Sequence, residues 1–60
     1  MSSGEGYILE FYKVGNSVKV TAIDPATGKE ATIISPLNVP QEQASKIAVQ
    51  KLEYILGKEA

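Results

Sequence analysis

Ser17-Val-Lys-Val-Thr-Ala-Ile-Asp-Pro-Ala-Thr-Gly-Lys-Glu-Ala-Thr-Ile-Ile-Ser35 is the stretch that decides the fold. Asp24-Pro25-Ala26-Thr27-Gly28 carries a suitable residue at each turn position. Asp24 accepts from backbone N–H groups two residues on, Pro25 sets φ for the second position, and Gly28 tolerates positive φ. β-Branched runs flank the turn on both sides, which predicts a hairpin. A four-residue loop pairs Asp24 with Lys29, Ala22 with Ala31, Thr21 with Thr32 and Val20 with Ile33. A three-residue loop would set Val20 against Thr32 and Ala22 against Glu30, mixing apolar with polar on both faces. Because a one-residue slip flips every side chain, the first register is the one to expect. Val20, Ala22, Ala31 and Ile33 then form the core face.

Upstream, residues 7–14 are mostly aromatic and aliphatic and read as a strand. Gly15-Asn16 follows with glycine first, as a type II′ hairpin turn prefers. Counting back from that turn pairs Val14 with Ser17, Phe11 with Val20 and Leu9 with Ala22. Leu9 and Phe11 thus fall on the face already assigned to the core, and a separate turn supports the same assignment. Residues 1–6 are small and polar and are expected to form a disordered tail. Ser2 and Glu5 have capping-box spacing, but Gly6 and a strand follow where a helix would have to begin.

Downstream, Pro36 cannot donate to a ladder and should end the third strand. Pro40 suits a first helical turn, with Asn38 or Val39 as cap, and Gly57 is a terminator with Lys58 beside it. Ala44, Ala48, Leu52, Ile55 and Leu56 cluster on one helical face, flanked by Ile47 and Tyr54, with Lys46, Gln50 and Glu53 opposite. The expected fold is α+β: a three-stranded antiparallel meander (about 7–14, 17–23 and 30–35) with one C-terminal helix (about 40–56) packed on one face. Residues 7–58 form a single domain.

Sixty residues give one thin domain, which buries only ~60% of the surface its unfolded chain exposes. There is no cysteine and no histidine, so disulfides, thiolate metal sites and a neutral-pH proton shuttle are unavailable to the chain itself. That leaves oligomerisation or very good packing as the remaining staple for so small a scaffold. Six basic against seven acidic residues, a net charge of -1, argue against a strongly basic nucleic-acid or membrane-surface footprint. No apolar run is long enough to span a bilayer and residues 1–6 lack a signal-peptide pattern, so a cytoplasmic setting is expected.

Catalytic patterns are weak throughout. Thr27-Gly28-Lys29-Glu30 has the look of a phosphate-loop ending. That motif needs glycine where Ile23 stands and Ser or Thr where Glu30 stands, and it joins a strand to a helix. The seven carboxylates are scattered, Asp24 is accounted for by the turn, and the serines have no histidine to activate them. Neither an enzyme nor a cofactor or metal site is expected.

The outer sheet face is the informative remainder. It carries Ile8, Glu10, Tyr12, Val14, Lys19, Thr21, Ile23, Thr32 and Ile34, whereas a solvated face should be mostly polar. Isolated exposed aliphatics are ordinary on any protein. Here Ile8 pairs with Ile23, and Tyr12, Val14 and Ile34 extend the apolar content; Val49 and Tyr54 add to it on opposite flanks of the helix. Ile8, Tyr12, Lys19, Ile23 and Ile34 are therefore the candidate interaction surface, with a homodimer or a further protein partner as its user. The first strand is also an edge without proline, open to pairing with a second chain, although Glu10 and Lys13 are residues that discourage it. The alternative is weak binding of single-stranded nucleic acid through Tyr12 with Lys13 and Lys19, against which stand the acidic pI and the lack of arginine.

Two segments, Phe11-Tyr-Lys-Val-Gly-Asn-Ser-Val-Lys-Val-Thr-Ala-Ile-Asp-Pro-Ala-Thr-Gly28 and Lys51-Leu-Glu-Tyr-Ile-Leu56, resemble a family of very short bacterial proteins of unknown function. The resemblance runs from Gly6 to Lys58, and Val18 to Gly28 is its specific part. At the start of the helix Pro40 replaces the small polar cap. The resemblance implies a stand-alone unit and supplies no functional residues.

Overall fold

The computed structural model describes residues 6–59. Strands β1 (Ile8–Val14), β2 (Ser17–Ile23) and β3 (Glu30–Pro36) form one antiparallel sheet in the order β1-β2-β3, followed by helix α1 (Gln41–Glu59). The expected disordered tail lies outside the described residues except for Gly6.

Both hairpins close as their turn residues dictate. At the second, the Asp24 N–H donates to the Lys29 carbonyl at 2.9 Å and the Gly28 N–H to the Asp24 carbonyl at 2.7 Å. The Asp24 carboxylate accepts from the Ala26 N–H at 3.1 Å and from the Thr27 hydroxyl at 3.0 Å. Gly28 sits at φ 78, a region that costs other residues roughly 1–2 kcal/mol. At the first, Gly15 has φ 59 while Asn16 stays negative, the pattern of a type II′ turn. These turns fix Val14 opposite Ser17, Phe11 opposite Val20, Ala22 opposite Ala31 and Thr21 opposite Thr32, the registers the sequence predicts.

The core lies between the sheet and α1. Val20, Ala22, Ala31, Ala44, Ala48, Val49 and Leu52 are buried, with Leu9, Val18, Ile33, Ile55 and Leu56 half-covered around them. Alanines on both layers let helix and sheet approach closely, so Leu52 and Val20 are the largest wholly buried side chains.

Three features depart from the expectation. First, α1 rests on β2 and β3 and barely touches β1. A helix is about 10 Å across and neighbouring strands are about 4.8 Å apart, so one helix covers two strands. The short β3–α1 connection keeps it on the β3 side. Phe11, which its register assigns to the core face, is consequently 36% exposed, whereas Val49, an expected surface residue, is 6% exposed and belongs to the core.

Second, neither Asn38 nor Val39 caps the helix. The Val39 N–H closes a turn onto the Pro36 carbonyl at 3.2 Å, and the Pro40 carbonyl accepts the first helical bond from Ala44 at 3.0 Å. Pro40 is thus the N-cap residue, while Val39 packs into the core. Third, Gly57 lies inside the helix, which runs on to Glu59. Glycine weakens a helix by about 1 kcal/mol without forcing it to end. The Lys58 ammonium sits 5.7 Å over the Tyr54 ring four residues back, a contact that exists only if the turn continues.

Candidate interaction surface

The pleat orders the outer face into rows across the sheet. Ile8 faces Ile23, which faces Glu30; Glu10 faces Thr21, which faces Thr32; Tyr12 faces Lys19, which faces Ile34. All five candidate residues share this face. Tyr12 is 67% exposed, Ile34 65% and Ile8 48%; Lys19 is exposed and Ile23 half-buried. They do not form one patch, however. Between the Ile8–Ile23 pair and the Tyr12–Lys19–Ile34 row runs the polar row, with the Thr21 and Thr32 hydroxyls hydrogen-bonded at 3.0 Å. Lys13 lies on the opposite face, across from Val18, and so does not join Tyr12 and Lys19.

β1 is the least covered element. Of its seven residues only Leu9 is half-buried, and exposed apolar groups stand on both of its faces: Ile8, Tyr12 and Val14 on one, Phe11 on the other. The position of Phe11 could have been anticipated by comparing the width of three strands with that of one helix; its residue type alone points inward.

The two sheet edges differ in their free backbone groups. Because Asp24 bonds to Lys29, the alternation of an antiparallel ladder directs Val18, Val20 and Ala22 towards β3, and Ser17, Lys19, Thr21 and Ile23 towards β1. In β1, Ile8, Glu10, Tyr12 and Val14 therefore bond to β2, while the N–H and C=O of Leu9, Phe11 and Lys13 point away from the sheet. In β3 the outward residues are Glu30, Thr32, Ile34 and Pro36. That edge is blunted twice: Pro36 has no N–H, and the Lys51 ammonium from α1 donates to the Thr32 carbonyl at 2.9 Å. The β1 edge carries neither device. Among the described residues it is the open edge of the sheet, guarded only by the charges of Glu10 and Lys13.

Little elsewhere suits chemistry. A shallow hollow of about 390 Å³ beside the start of α1 is lined by Pro40, Glu42, Gln43 and Lys46. Among the described residues no three His, Cys, Asp or Glu side chains converge, and no helix is long and apolar enough to cross a membrane. No curated protein and no solved structure matches the chain. A family model does match, over residues 4–59 and so across both hairpins and the helix. The chain belongs to the DUF6898 family, a domain of unknown function.

Proposed function

We propose that this chain is a small non-enzymatic interaction module that works as a homodimer, and that the edge of β1 is its contact surface. The observation carrying this reading is the asymmetry of the two edges among the described residues: β3 is closed by Pro36 and by Lys51 on the Thr32 carbonyl, whereas β1 has neither device. The outer face is the weaker choice, because the Glu10–Thr21–Thr32 row divides its apolar residues. A core built largely from alanine also leaves a small chain in need of further burial.

Light scattering across a dilution series, run on the natural chain and on Ile23→Lys, tests the reading. The natural chain should show a dimer that dissociates on dilution. Ile23→Lys places a charge on the central strand of the outer face, away from the β1 edge, and should keep the dimer mass. Loss of the dimer in that variant would move the interface to the outer face, and a natural chain that is monomeric at every concentration would end the proposal.

The nucleic-acid alternative retains one observation, the exposed Tyr12 ring opposite Lys19. With Lys13 on the other face, a single aromatic and a single cation remain to hold a strand. Salt-sensitive retention on single-stranded nucleic acid would favour it; passage without retention at low salt would remove it.

A further inference from the structure

The geometry points to the arrangement of that dimer: β1 pairs antiparallel with β1 of a second copy about a two-fold axis through Phe11, joining two sheets into one of six strands. The inference rests on the homodimer reading above and goes beyond it by fixing partner, register and axis.

A two-fold axis perpendicular to the sheet keeps the same face up in both copies, so paired residues must share a face. Leu9, Phe11 and Lys13 carry the outward backbone groups and must supply the hydrogen-bonded pairs. Centring the axis on Phe11 satisfies both conditions. Phe11 meets the partner's Phe11, Leu9 meets the partner's Lys13, and about six backbone hydrogen bonds form across the seven-residue strands. On the outer face Ile8 then stands opposite the partner's Val14, and Glu10 opposite the partner's Tyr12. The Lys13 stem lies along leucine while its ammonium reaches water.

The neighbouring registers are worse. Moving the axis to residue 10 sets Glu10 directly against Glu10 of the second copy, a like-charge pair. Moving it to residue 12 strands Ile8 and Leu9 opposite the Gly15-Asn16 turn. Only the Phe11 axis uses the whole strand without opposing like charges. It also extends the Ile33–Val20–Phe11 row into its own mirror in the second copy, covering the ring that α1 leaves 36% exposed. The helix stands over β2 and β3, so among the described residues nothing has to move to admit the second chain.

A strand of this length, ~24 Å at ~3.4 Å per residue, makes a small interface, and a dissociation constant on the order of micromolar is expected. The test uses Phe11→Glu, Phe11→Lys and their equimolar mixture in sedimentation equilibrium. At this axis each substitution meets itself, so each variant alone should dimerise about tenfold more weakly or worse, and the mixture should recover the dimer. With the axis at residue 12, Phe11→Glu would instead face Lys13 and tighten the dimer, which would overturn the register. Amide hydrogen exchange on the natural chain gives an answer even if the variants fold poorly. The Leu9, Phe11 and Lys13 amides should become protected as concentration rises through the dissociation constant. A dimer in which those three amides stay fast would refute edge pairing, whereas a natural chain without any dimer would remove the underlying reading as well.

Discussion

Leu52→Ala should remove roughly half of the protein's stability. Leu52 is 0% exposed and shares with Val20 the distinction of being the largest wholly buried side chain, in a core otherwise supplied by Val49 and four alanines. Truncating a buried leucine costs about 2–5 kcal/mol, the amount depending on how far the surroundings collapse into the space. Here most of the wholly buried neighbours are alanines with no rotamers to swing inward, while Ile33, Ile55 and Leu56 at the rim can lean in only partly, which places the cost near the middle of that range. Marginal stability of roughly 0.05–0.15 kcal/mol per residue gives a chain of this length about 3–9 kcal/mol in all. One substitution therefore removes roughly half of it. Urea titration followed by far-ultraviolet circular dichroism measures the loss, at one fixed protein concentration because association adds to apparent stability. Leu52→Met, which conserves volume, should cost less than about 1.5 kcal/mol and controls for the position. A loss below about 1 kcal/mol for Leu52→Ala would show that the helix–sheet layer is not the seat of stability.

Two further substitutions separate local causes. Gly28→Ala introduces a Cβ that meets nothing within 4 Å, so its whole effect is the strain of a φ of 78; thermal melts should show a loss of about 1–2 kcal/mol, and a neutral result would mean that the turn relaxes at no cost. Lys51→Met leaves the Thr32 carbonyl of β3 without its donor. Stability should fall by less than about 1 kcal/mol; Pro36 still blunts one end of β3, but with the Thr32 carbonyl freed, sedimentation should reveal species larger than a dimer, and an unchanged distribution would show that Lys51 does not guard that edge.

The hairpins were legible because their information is local. Asp24, Pro25 and Gly28 specify one turn, Gly15 the other, and each turn sets a register without reference to the rest of the chain. α1 was legible as a helix for similar reasons, but its position over the sheet was not. Where the helix lies depends on its width against the width of three strands and on the short connection from β3. Those two facts together uncover Phe11 and bury Val49, which hydrophobicity alone would treat alike. The helix ends differ from the expectation for a related reason: Pro40 and Gly57 are local signals, yet with Val39 docked against the core and Lys58 lying over Tyr54 the helix runs from Gln41 to Glu59. The candidate surface shows the same division. That Ile8, Tyr12, Lys19, Ile23 and Ile34 share a face follows from alternation along strands of known register. That a polar row splits them, and that the β1 edge is open while Lys51 closes the other, are consequences of the assembled sheet and helix. In a chain with so little interior, the outward backbone groups of Leu9, Phe11 and Lys13, hydrated in the monomer, are the most regular array of donors and acceptors on the described surface, and under the dimer proposal a second strand is what fits them.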